Sequence, residues 1–222
     1  MLFESRFGRG GWLPVDELAV ELQVSRQPVM DAMKRLAIEG FVDVVPQVGC
    51  KVREYSTAEI HEFFILFADC EAIVARLAAE RATPEDITHL RIVSGQIEQL
   101  ATVKLSKYDL ARLYRSLNRT LHTQIRQMAR SAPVTEIVES LGDRSDFFIA
   151  TSGRPMFAET LAVALAEHTA IVNAIAKHNP AAAHEAMQKH VLGTDTRLQE
   201  FLLEDAALAV RRAAREPKRA RS

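Results

Sequence analysis

The stretch LAVELQVSRQPVMDAMKRLAIEGFVDVVPQVG, residues 18–49, decides how this chain folds. Leu18, Ala19 and Leu22 form the apolar stripe of a short helix, and Val24-Ser25 interrupts it with Ser25 placed to cap the next one. From Gln27 onward, Val29, Met33, Leu36 and Ala37 recur at three and four residues until Gly40, which stands where helices commonly stop. The period then changes. Residues 41–45 (FVDVV) and 50–53 (CKVR) are short β-type runs around the turn-rich Pro46-Gln47-Val48-Gly49. The pattern predicts helix, short turn, helix and a two-stranded wing.

After Glu54 the β signal is lost. Amphipathic patterns predict helices near 58–81, 85–103, 107–130, 133–151, 155–178 and 181–204. Breaks fall at Thr83-Pro84, Ser131-Ala132-Pro133, Gly153-Arg154-Pro155 and Asn179-Pro180, and such short gaps favour antiparallel neighbours. The fold class is therefore mainly α. A winged helix-turn-helix over 1–54 precedes an antiparallel all-helical bundle over 55–205. A basic tail over 206–222, with Arg211, Arg212, Arg215, Lys218, Arg219 and Arg221, is expected to be a disordered, solubilising end rather than a DNA contact.

The 222 residues are 48% hydrophobic and 26% charged. No stretch approaches the roughly 20 apolar residues of a membrane helix, and no export signal opens the chain. Cys50 and Cys70 lack the spacing of a disulfide framework or a CxxC pair, so they read as reduced thiols of a soluble, cytoplasmic protein with no membrane partner.

The net charge is -1, and residues 1–54 hold seven Lys or Arg against eight Asp or Glu. Any DNA contact must therefore come from local placement of cations. In a helix-turn-helix the second helix enters the major groove with its N-terminal side chains at the base edges. Here those positions are Ser25, Arg26 and Gln27, with Met30 and Lys34 further along the same face. Arg26 suits guanine or phosphate and Gln27 suits adenine, while Gly49 would let the wing backbone approach the minor groove. Helix hairpins with charged tips also occur in proteins that bind no DNA, so the pattern alone leaves both readings open.

Leu18-Ala19-x-x-Leu22-x-Val24-Ser25-Arg26-x-Pro28-Val29, followed by Leu36-Ala37-x-Glu39-Gly40-Phe41-Val42 and Gly49, resembles the GntR family of regulators. That resemblance implies a winged helix-turn-helix that binds short palindromic double-stranded operators as a homodimer. The chain departs from the family pattern at Met30, where an Arg is usual, and at Asp16, where a basic residue is common. Residues 1–9 are also shorter than the family's first helix, so a short helix or a start further upstream is expected.

Residues 76–82 (RLAAERA) and the histidine pattern downstream resemble the FadR-type ligand domain called FCD, over about 58–205. The resemblance implies six or seven helices around a cavity, with a divalent metal held by Asn118, His122, His168 and His190. It also implies a small-molecule effector, usually a carboxylate, completing the coordination. Spacing supports the set independently. Asn118 and His122 are one turn apart on a helix face. His168 lies eleven residues before Asn179 and His190 eleven after it, so across a hairpin turning there both rise about 16 Å and end level. Three imidazoles and an amide oxygen suit zinc or nickel, with less negative charge than the Asp common at position 118 would give.

Phe67 aligns with a family Arg that pairs with effector carboxylates, which favours a more apolar effector unless Arg144 supplies the cation. Tyr114 lies one turn before Asn118 and is a further candidate for the effector site, though core packing is its default. The function implied is that of a ligand-responsive repressor. Two other readings remain: a metalloenzyme, and a DNA-binding protein whose metal is purely structural. Three histidines with an open position also build catalytic zinc. No HExxH occurs, however, and Glu167 falls on a different helix face from His168, so no general base is evident and the chain is read as no enzyme. His61, His89, His178 and His184 read as surface residues.

Overall fold

The computed structural model describes residues 6–215. Strand β1 (Trp12–Leu13) precedes α1 (Val15–Glu21) and α2 (Arg26–Ile38), and β2 (Val42–Val45) and β3 (Gly49–Val52) follow. The three strands form one antiparallel sheet in the order β1-β3-β2, with Trp12 opposite Lys51 and Val42 opposite Val52. Pattern reading finds the hairpin but not β1, because two residues carry no alternation. Leu13, Leu18, Val29, Met33, Val42, Cys50 and Val52 close a small core between the sheet and the two helices.

Local chemistry explains the joints. Helix α2 ends in a Schellman motif: Gly40 takes φ +81°, its N–H donates to the Ala37 carbonyl, and the Phe41 N–H donates to that of Leu36. The turn between α1 and α2 has the same pattern around Gln23, at φ 55°, with Val24 N–H on the Ala19 carbonyl. Ser25 does occupy the N-cap of α2, in extended conformation, but its side chain makes no capping hydrogen bond. Its side chain lies exposed at the tip of the helix.

The rest is helical. Helices α3 (Thr57–Arg81), α4 (Pro84–Gln99), α5 (Lys107–Met128), α6 (Ala132–Thr151), α7 (Met156–Glu159), α8 (Leu161–Ala176) and α9 (Pro180–Arg215) form an antiparallel bundle. Capping boxes start α3 (Ser56 with Glu59) and α4 (Thr83 with Asp86, with Pro84 in the first turn). Ala68, Ala72, Ala75 and Ala79 give α3 a narrow buried face, and α3 packs most extensively against α9. Among the described residues no helix is long and apolar enough to cross a membrane.

Two expectations about extent are corrected. The single helix read over 155–178 is broken at Thr160, and the short α7 turns inward so that Met156 is buried and Phe157 packs on Tyr114. Helix α9 does not stop near 204 but continues to Arg215, through Ala-rich sequence with no breaker before Pro217. Residues 206–215, read as tail, are thus helical; Lys218, Arg219 and Arg221 lie outside the described residues.

Candidate metal centre and nucleic-acid interface

His122 comes from α5, His168 from α8 and His190 from α9, and all three are buried, at 7%, 1% and 5% exposure. Each offers a ring nitrogen within 4.8 Å of those of the other two. The mirrored spacing about Asn179 has this outcome in space: the His168 and His190 rings lie 4.7 Å apart, with His122 5.5 Å from His190 and 6.0 Å from His168.

Polar surroundings sort the nitrogens. The Glu167 carboxylate accepts from Nδ1 of His190 at 2.8 Å, which leaves Nε2 with its lone pair. Arg197 holds that same carboxylate with two hydrogen bonds, at 2.9 and 3.0 Å. Burial raises Glu167, but the hydrogen bonds from His190 and Arg197 outweigh it and its pKa is lowered. The sequence reading put Glu167 on another face from His168; it is on another face, turned to the neighbouring histidine. Nδ1 of His122 stands 3.4 Å from the Glu71 carboxylate, without a formed hydrogen bond. Among the described residues His168 has no hydrogen-bond partner on either nitrogen, although both are buried. Burial, then the neighbouring His190 and His122, push its pKa well below the usual histidine value, so the ring is neutral.

A buried imidazole with two orphaned nitrogens is costly unless something occupies it. The buried carbonyl oxygen of Asn118 is likewise without a partner and lines the same cavity as His122 and His190. Three imidazole nitrogens and one amide oxygen fit a borderline divalent ion.

That cavity reaches from the histidines toward α3 and α6 and is small, about 60 Å³. Phe67 and Tyr114 both line it. The Tyr114 ring stacks on His168 at 6.0 Å, and burial pushes its hydroxyl pKa far up. Arg144 does not line it. Its guanidinium is turned outward from α6, onto the Tyr55 hydroxyl and the Glu39 carbonyl, so the cation offered for Phe67's missing arginine is corrected.

Other residues supply charge to the cavity. Arg126, buried in its wall, donates to fully buried Glu71, and Gly142 makes room for it: a Cβ there would lie 2.8 Å from Nη2. Burial would raise the Glu71 carboxyl, but Arg126 and His122 outweigh it and hold its pKa at about 2. Arg119 reaches Asp143 at 2.7 Å and Asp146 at 3.5 Å, and burial raises the Asp146 pKa against the pull of Arg119. Sequence reasoning missed Glu71 and Arg126, although a signal was present: Arg126 follows Asn118 and His122 at successive four-residue steps.

The residues expected from sequence to read DNA fall together on the exposed side of α2. Ser25, Arg26, Gln27 and Lys34 are exposed, while Met30 is half-buried against the core formed by Val29 and Met33. Arg26 Nε lies 3.1 Å from Asp16, the acid that replaces the family's basic residue. Asp31, not singled out from sequence, accepts from Gln27 at 3.0 and 3.2 Å and from Lys34 at 3.1 Å. Those hydrogen bonds lower its pKa. Gly49 opens β3 at φ 149°, with the Trp12 ring beside it.

The helical domain matches the family model for the FCD domain over residues 68–193, and the first 52 residues match that for bacterial regulatory proteins of the gntR family. The chain is 28% identical over 131 residues to the Nta operon transcriptional regulator of Aminobacter aminovorans, covering 59% of this chain and 60% of that protein. It is 26% identical over 175 residues to the probable D-xylose utilization operon transcriptional repressor of Paenarthrobacter nicotinovorans, 79% of this chain and 74% of that one. The E. coli McbR/YncC structure superposes with a TM-score of 0.69 at 17% identity, covering 96% of this chain and 92% of that one, a likeness of fold.

Proposed function

The chain belongs to the gntR family of bacterial regulatory proteins that carry an FCD domain, and from that premise we propose that it is a ligand-responsive transcription repressor. It binds a two-fold, double-stranded operator as a homodimer through α2 and the wing, and leaves it when a small effector enters the bundle cavity. The observation that carries this reading is the presence, in one chain, of an exposed reading helix and a buried His122–His168–His190 cluster.

His122, His168 and His190 would hold zinc or nickel, with Asn118 as a weaker oxygen ligand. Bound there, the ion would supply a Lewis-acidic cation able to take up an effector carboxylate. The residues around it do the rest. Glu167 orients His190, Tyr114 packs on His168, and Phe67 gives the cavity an apolar wall. Arg126 is neutralised by Glu71, so it offers a directed donor rather than free positive charge. An enzyme would need a free base near the histidines. The two carboxylates beside them are committed, Glu71 to Arg126 and Glu167 to His190 and Arg197.

The test is direct. Operator sequences are selected from a random duplex library with the full chain loaded with zinc, and the bound complex is titrated with small carboxylates. Release by one of them supports the reading. Operator binding that no carboxylate alters, with metal retained, would favour a purely structural ion.

A further inference from the structure

A guanidinium from the helical domain reaches the C-terminal end of the reading helix. Arg144 stands on α6, and its Nη2 donates to the carbonyl of Glu39, the C-cap residue of α2. Its Nη1 donates to the Tyr55 hydroxyl at 3.2 Å, and that hydroxyl donates in turn to the Gly40 carbonyl at 2.8 Å. The last carbonyls of a helix carry its negative end, so a guanidinium there is favoured both by charge and by hydrogen bonding. Gly40 is where the clamp closes. A Cβ at that position would stand 2.8 Å from the Tyr55 hydroxyl and 3.0 Å from Arg144 Nη2.

Aromatic packing surrounds these polar contacts. Phe41, just past α2, lies 5.1 Å from Phe147, and Phe148 lies 5.2 Å from Tyr55 and 5.1 Å from Phe63. The guanidinium of Arg144 also stands 5.8 Å from the Phe41 ring. The neighbours of Arg144 along α6 face the other way: Gly142, Asp143, Ser145 and Asp146 line the cavity of the histidines. Helix α6 therefore carries the clamp on one side and the cavity wall on the other.

We propose that Arg144 is a positioning residue for operator binding, which fixes from the helical domain the direction in which α2 presents Arg26 and Gln27. The proposal rests on the reading above that the chain is an operator-binding dimer. In such a dimer the distance between the two reading helices sets the spacing of the half-sites. A joint that holds α2 rigidly makes one spacing best. A joint without its clamp lets each α2 turn, so the optimum flattens while each helix still reads its own half-site.

The experiment uses the full chain and the selected operator, together with duplexes whose half-sites are one base pair closer or further apart and a single half-site. Wild type should show a clear optimum. Arg144→Gln should bind the optimal spacing about tenfold more weakly, the equivalent of one charged hydrogen bond, and discriminate less between spacings, with unchanged binding to the single half-site. Tyr55→Phe keeps the ring and should show the same flattening to a smaller degree, and Arg144→Lys should restore part of the discrimination. Thermal melting of each variant separates this from loss of fold, and Tyr55→Phe carries the test if Arg144→Gln is unstable. A variant that melts like wild type and keeps the wild-type spacing preference overturns the proposal. Wild type that binds no spaced pair at all overturns the operator reading instead.

Discussion

Asn118, His122 and Arg126 stand at four-residue steps on α5, so one helix face delivers an amide, an imidazole and a guanidinium to the same cavity. Arg126 and Glu71 are buried as a pair, and removing one partner leaves an uncompensated charge. Glu71→Leu or Arg126→Met alone should therefore cost about 3–5 kcal/mol in urea unfolding. The double variant should cost clearly less than the two singles together, and simple additivity would show that the pair does not act as a unit. Arg26 lies at the other extreme of exposure. Arg26→Ala should weaken operator binding by about 1–3 kcal/mol with helicity unchanged, whereas an unaltered gel-shift titration at fixed salt would remove it from the interface. The histidines were legible because their spacing is regular. Arg126 left a trace in its four-residue step from His122, but Glu71 left none, because a charged residue within an apolar face only makes sense once its partner on another helix is known.

Helix ends show how far local sequence reaches. Gly40 as the stop of α2 follows from its place after an amphipathic run, and the Schellman hydrogen bonds satisfy that reading. What its neighbours do there does not follow, because Tyr55 and Arg144 arrive from distant parts of the chain. Gly40→Ala must place a Cβ at φ +81° against both, so it should cost about 1–2 kcal/mol for the backbone alone, with more from the clash. A melting temperature equal to wild type would mean that the joint relaxes freely. The break between α7 and α8 was illegible for a related reason. Thr160 is tolerated within a helix, and the gain that bends the chain is the burial of Met156 and the packing of Phe157 on Tyr114.

At the scale of the molecule, the order of the two folding units was readable from the change of period at Glu54, and the cavity's position was readable from the histidines. The joint between the units was not, since it is made of side chains whose local roles are unremarkable. A dimer is expected for the full chain, and light scattering at working concentration should give about twice the 24.8 kDa of one chain. A monomer would leave a two-fold operator without a two-fold reader. The chain's response to metal bears most directly on the whole scheme, since an ion that binds the folded cluster and not the unfolded chain stabilises by about 2.7 kcal/mol at a hundredfold excess over its Kd. The decisive measurement is elemental analysis of the full chain, purified without chelator or a histidine tag, beside that of His168→Ala. One zinc or nickel per wild-type chain and little in the variant is the expected result, with a wild-type melting temperature that rises on metal addition. Metal-free wild type, whose melting curve does not change with either added ion, would contradict it and leave His122, His168 and His190 as core residues.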